Sequence, residues 1–233
     1  MISAVLLENT QKKFRDFAIS DRHASGIIFF RRLLKKPSYR QIVRIQLDLA
    51  FLLYHEALKS YLNRDLSVAA KRPAMNQLRE AIKICHSIIK SEQRDVNEKE
   101  IINARIFLAQ IYACMRNPAA INLARKTFER ASYAVTANRL ADVYVRLDRP
   151  VEAKIWYKKY EKLANQEKIP SYLIATDMAI FYKDIGKNDL ANRYLEQALA
   201  NLPHSKKGKS VLSIIKRHFV IKKGGLTGAI RTK

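Results

Sequence analysis

At 233 residues the chain has room for one or two domains and a sizeable core. Hydrophobic residues make up 48%, and only 6 Gly and 6 Pro are present, which argues against a turn-rich β protein. Against 21 Asp+Glu stand 44 Lys+Arg, a net charge of +23 that points to an anionic partner or surface unless lysine is simply abundant throughout the source proteome. No stretch approaches the ~18 uncharged apolar residues of a membrane span. Met1 to Leu7 is apolar but lacks a basic start and a small-residue cleavage site, so it does not read as a signal peptide.

Apolar periodicity predicts helices at roughly 4–17, 24–35, 39–62, 74–91, 98–116, 119–132, 136–147, 150–166, 171–185, 188–201 and 209–222. Pro37, Pro73, Pro118, Pro150, Pro170 and Pro203 are read as punctuation between them, where a missing N–H and a fixed φ cost little. No segment alternates with period two for long enough to make a strand. Cys85 and Cys114 fall in helical patterns among apolar residues and are read as packed, reduced thiols in a cytoplasmic protein.

The segments pair as hairpins, and a pattern recurs within them. Leu108-Ala109-Gln110-Ile111-Tyr112, Leu140-Ala141-Asp142-Val143-Tyr144 and Met178-Ala179-Ile180-Phe181-Tyr182 share large–small–x–x–Tyr on the first helix of a pair. The small residue permits close helix approach, and Tyr packs one turn later. On the second helices, Ala124/Phe128/Ala131, Ala153/Tyr157/Tyr160 and Ala191/Leu195/Ala198 repeat a small–large series. The small residue follows the Tyr by nine positions in two pairs and by twelve after Tyr112, which predicts a turn lengthened by about three residues around Asn117-Pro118.

With these residues the segment 134–203 resembles two tetratricopeptide repeats, the second ending at Leu202-Pro203, and 102–133 resembles a third. Leu49-Ala50 and Leu53, followed by Ala81, Cys85 and Ile88, form a looser fourth with a long connecting loop. The Tyr spacings of 32 and 38 depart from the ~34 residues of strict repeats. The resemblance implies an all-α, right-handed α-solenoid of antiparallel helix hairpins. Its divisions would be a loosely repeat-like helical region over 1–95, about three hairpins over 96–203, a capping helix over 204–223 and a flexible basic tail over 224–233.

A catalytic reading finds little to stand on, and no cofactor or metal site is expected. His23, His55, His86, His204 and His218 make no HExxH and no Cys/His metal spacing. Gly224-Gly225-Leu226-Thr227-Gly228 lacks the ending of a phosphate loop and the strand that would precede one. Members of the resembled family bind a peptide or partner helix in a groove lined by the first helix of each pair. Here that face corresponds to Asn103, Ile106 and Gln110, then Asn138, Asp142 and Val145, then Thr176, Ile180 and Lys183. Members that grip acidic chaperone tails use a Lys/Arg/Asn clamp at these places. Asp142 would repel such a carboxylate and Ile180 cannot donate to one.

Two readings of function follow. One is a non-catalytic scaffold or adaptor holding a protein or peptide partner in the groove. The other is a nucleic-acid- or ribosome-associated protein, with an anionic membrane as a further option for the same charges. That second reading rests on the acid-free C-terminal patch of Lys206, Lys207, Lys209, Lys216, Arg217, Lys222 and Lys223. Tyr133, Trp156, Tyr157, Tyr160 and Tyr172 lie among Lys154, Lys158, Lys159 and Lys162, a mixture that can stack on bases while neutralising phosphates.

Overall fold

The computed structural model describes residues 4–63, 65–91 and 96–219. Among them are twelve helices and no strand: α1 (Ala4–Ile19), α2 (His23–Leu34), α3 (Pro37–Arg40), α4 (Val43–Tyr61), α5 (Val68–Lys90), α6 (Glu98–Cys114), α7 (Ala119–Arg130), α8 (Ala134–Arg146), α9 (Pro150–Gln166), α10 (Ser171–Asp184), α11 (Asn188–Ala200) and α12 (Lys206–His218). The chain divides into two compact units, residues 1–127 and 128–233, with the division inside α7. No described helix is long and apolar enough to cross a membrane. The expected tail over 224–233 lies outside the described residues.

Three expectations are corrected. Pro73 does not mark a helix start; it sits in the second turn of α5. The Ser67 hydroxyl accepts from the Ala70 N–H at 3.2 Å and sets the start at Val68. The proline leaves only the Ala69 carbonyl without its helical donor, and Ala69 is solvent-exposed. The single helix over 39–62 is two, because Ile42 takes an extended ψ between α3 and α4. The turn after Tyr112 is longer by one residue rather than three, since α7 starts seven residues beyond Tyr112 and α9 six beyond Tyr144. The inward series of α7 begins one turn earlier than Ala124, at the fully buried Ala120.

In the first unit, α4 packs against α2 and α5, and α5 against α6. Phe14 meets Phe30 and Phe51 edge-on at 6.3 and 5.3 Å, and Phe51 meets Phe107 at 5.5 Å, so aromatic rings join α1, α2, α4 and α6. Gly26 lets α2 come this close: a Cβ there would lie 2.8 Å from Leu52 Cδ1 and 3.1 Å from Phe17. Both thiols are free and buried; burial pushes that of Cys85 up to about 12, and the Tyr54 hydroxyl lies 3.3 Å from Cys114 Sγ.

In the second unit α8 packs on α9 and α10 on α11. Ala141, Ala179, Ala153, Ala191 and Ala198 are essentially inaccessible, as are Leu140, Met178, Tyr144 and Phe181. Each small residue therefore lies where a neighbouring helix approaches most closely. The helix ends repeat as well. The N–H groups of Arg149 and Lys187 donate to the carbonyls of Tyr144 and Tyr182 at 2.9 and 2.8 Å, each closing a turn over a left-handed residue, Asp148 (φ 59°) or Gly186 (φ 74°). In the first unit Asn117 N–H closes the same turn onto Tyr112 at 2.9 Å over Arg116 (φ 56°). One backbone motif thus recurs after all three Tyr residues that marked the repeat.

Candidate functional site

The second unit carries a polar network on α8, α9 and α10. Its helices are set locally by caps. Glu167, just past α9, accepts from the Ala134 N–H at 2.7 Å and places a carboxylate at the start of α8. Thr136 accepts from the Tyr133 N–H at 3.2 Å and donates to the Ala131 carbonyl. Pro170 caps α10 with an extended ψ.

From that frame six side chains engage in two sets of three. Asn138 Nδ2 on α8 donates to Asp177 Oδ2 on α10 at 3.0 Å, and the Tyr160 hydroxyl of α9 donates to the same oxygen at 2.6 Å. The Tyr157 hydroxyl donates to Asp142 Oδ1 at 2.5 Å, while exposed Arg139 pairs with Asp142 Oδ2 at 3.0 Å. Asn138 and Asp177 therefore tie the first helices of successive hairpins together at one point. Burial holds the Asp177 carboxyl above the usual carboxylate range, against the lowering pull of Tyr160 and Arg139. Burial, and next the Asp142 charge, raise Asp184 as well. Burial and the facing carboxylates push both tyrosine hydroxyls up, so they act as donors at neutral pH.

The expected groove residues fall in two places. Asn103 is half-buried and Ile106 and Gln110 are buried in the first unit. The other six are in the second. Asn138 and Asp142 belong to the network. Thr176 is buried and donates to the Tyr172 carbonyl at 2.7 Å. Val145 and Ile180 are half-buried. Lys183 Nζ donates to the His218 carbonyl at the end of α12 and lies 5.1 Å from the Phe219 ring centroid, so it helps seat that helix. Asp177, Tyr157 and Tyr160 are network residues that sequence reasoning missed in that role. The available signal was Tyr, rather than Leu or Phe, at two inward positions: a buried hydroxyl needs a partner.

The C-terminal patch is divided. Lys207, Lys209 and Lys216 are exposed on α12. Lys209 and Lys216, seven residues apart, share a face, whereas Lys207 lies about half a turn away. Lys206 and Arg217 are positions of the same helix, and Lys222 and Lys223 lie outside the described residues. Among the aromatic residues considered for base stacking, Tyr157 and Tyr160 are buried and engaged. Trp156 is half-buried edge-on to Phe128 at 4.9 Å, with Lys159 Nζ 4.3 and 4.8 Å from the two ring centroids. Among the described residues no group of three or more His, Cys, Asp or Glu is arranged to hold a metal ion. No family model, no curated protein and no solved structure matches this chain.

Proposed function

We propose that this protein is a non-catalytic scaffold of the tetratricopeptide type, a right-handed solenoid of hairpins that holds a protein or peptide segment against the first helices of its repeats. The observation that carries the reading is the Asn138–Asp177 hydrogen bond, which ties the first helices α8 and α10 of successive hairpins to each other. The face offers the half-buried Val145 and Ile180 as apolar contacts. Asp142, Asp177 and Lys183 are already oriented by bonds within the chain. A surface ordered before binding loses little side-chain freedom on contact. Its carboxylates are committed to Tyr, Asn and Arg partners rather than to a nucleophile, which favours binding over catalysis. The two free buried thiols suit a reducing cytoplasm.

Affinity purification from the native cell, with and without nuclease, tests the reading. A Val145→Asp/Ile180→Asp variant should lose a nuclease-resistant partner that a Lys207→Glu/Lys209→Glu/Lys216→Glu variant keeps. A partner set unchanged by the groove variant, or abolished by nuclease, overturns it and leaves the nucleic-acid reading in its place.

A further inference from the structure

Helix α9 has a second face that the network does not use. Ala153, Tyr157, Tyr160 and Ala164 turn inward and are buried. The opposite stripe runs through Val151, Ile155, Lys158 and Lys162, with Lys154 beside it, all exposed. These spacings of four, three and four residues keep the stripe on one side of the helix for ~16 Å. Val151 is 71% and Ile155 61% exposed, the two most accessible large apolar side chains among the described residues of the second unit. Lys154, Lys158 and Lys162 form no ion pair among the described residues. The acids of the helix stand to the sides: Glu152 pairs with Arg149, and Glu161 is half-buried near Tyr182 and Tyr194. Lys159 is taken up by Phe128 and Trp156.

We propose that this face docks an acidic amphipathic helix of a partner protein, distinct from whatever the α8–α10 face holds. Lysines at one-turn intervals match carboxylates at one-turn intervals on a facing helix, and unpaired lysines at this spacing supply the complementary charge. Val151 and Ile155 cover apolar side chains of the same partner at one end of the stripe. A phosphate backbone would use the lysines and gain nothing from the apolar pair. A membrane surface needs a broad apolar face, and two side chains do not make one. A single-helix contact is small, so the complex belongs to the transient class.

The test uses the full chain and a fluorescein-labelled helical peptide of about 16 residues, with Glu at every fourth position and Leu on the adjoining stripe, read by anisotropy at low salt. Its Glu→Gln counterpart, a single-stranded RNA oligonucleotide and phosphatidylserine vesicles are the parallel probes. Lys154→Glu/Lys158→Glu/Lys162→Glu should weaken the acidic peptide by roughly tenfold or more, and Val151→Ser/Ile155→Ser by about three- to tenfold. All five positions are exposed, so each variant should keep its helices, which circular dichroism checks. Lys207→Glu/Lys209→Glu/Lys216→Glu makes the same change in net charge on α12 and should leave peptide binding unaltered. The proposal is overturned if that variant weakens the peptide as much, if the Gln peptide binds as well as the Glu peptide, or if the peptide does not bind. It is equally overturned if RNA or vesicles bind through the α9 lysines with no dependence on Val151 and Ile155.

Discussion

The two units solve the same packing problem with different side chains. The first fills its core with large groups, among them Phe30, Leu52, Leu53, Leu78 and Ile88, set around buried alanines such as Ala50, Ala57 and Ala81, and tolerates one buried carboxylate among its described residues, Asp48. The second sets alanines among tyrosines and gives each of the two inward hydroxyls of α9, Tyr157 and Tyr160, an acid. The first unit also has irregular helix lengths, as in the four-residue α3 and the 23-residue α5. Small-on-large packing demands regular spacing, because only alanine fits where the helices approach most closely. The regular unit is also the one whose surface carries the ordered polar face.

The contrast can be broken most strongly at Phe30→Ala. Phe30 is fully buried against Phe14 and Phe29, so about 3–5 kcal/mol of stability should be lost. Denaturant titration measures the loss, and amide exchange should locate the loosening in residues 23–61. Asp48→Asn comes next and has the opposite sign. Burial raises the Asp48 carboxyl from 3.8 to about 6, despite Arg44 at 3.4 Å and Gln11 Nε2 donating at 2.7 Å, with Glu100 pushing it further up. A group whose native pKa lies above its unfolded value stabilises the fold below both values and loses that contribution as pH rises through the native one. Wild-type stability should therefore fall between about pH 4 and 6. Asp48→Asn should remove the fall and gain up to about 3 kcal/mol at pH 8, read as melting temperature against pH.

In the second unit, Ala141→Leu should cost about 1–3 kcal/mol by overpacking, with faster exchange confined to α8 and α9. Tyr160→Phe should cost about 1.5–3 kcal/mol at neutral pH, since Asp177 loses a 2.6 Å donor where it is least hydrated. If Ala141→Leu is harmless while a comparable enlargement in the first unit is not, the distinction between the two packing styles fails.

How much of this was readable beforehand follows from where each signal resides. The large–small–x–x–Tyr pattern and the small–large series lie within single helices at fixed spacing, so Leu140, Ala141 and Tyr144 announced their burial. The α3–α4 break had no such mark, because Gln41 and Ile42 are not breaking residues. Pro73 misled because a proline near a helix start is compatible with the helix, and Ser67 upstream was the stronger signal. At the candidate site, Asn138 and Asp142 were named from position as groove residues, not as members of a polar network. Asp177 was not, because its donors Asn138 and Tyr160 arrive from two other helices. Lys183 carried no sign that it would meet the end of α12.

The smallest expected effect lies in the repeated turn and tests whether the two hairpins of the second unit are equivalent down to the backbone. Asp148 and Gly186 occupy the same left-handed position after Tyr144 and Tyr182, at φ 59° and 74°. Glycine adopts this conformation without the Cβ crowding that an L side chain meets there. Asp148→Gly should stabilise by about 0.5–1 kcal/mol, less the added freedom of the unfolded chain. Gly186→Ala should destabilise by a similar amount, although a Cβ there meets no atom within 4 Å, so any loss is conformational rather than steric contact with neighbours. The amides of Arg149 and Lys187, which close the two turns, give the local readout by hydrogen exchange. Slower exchange at Arg149 in the first variant and faster exchange at Lys187 in the second would establish the turns as one motif, and changes of the same sign would separate them.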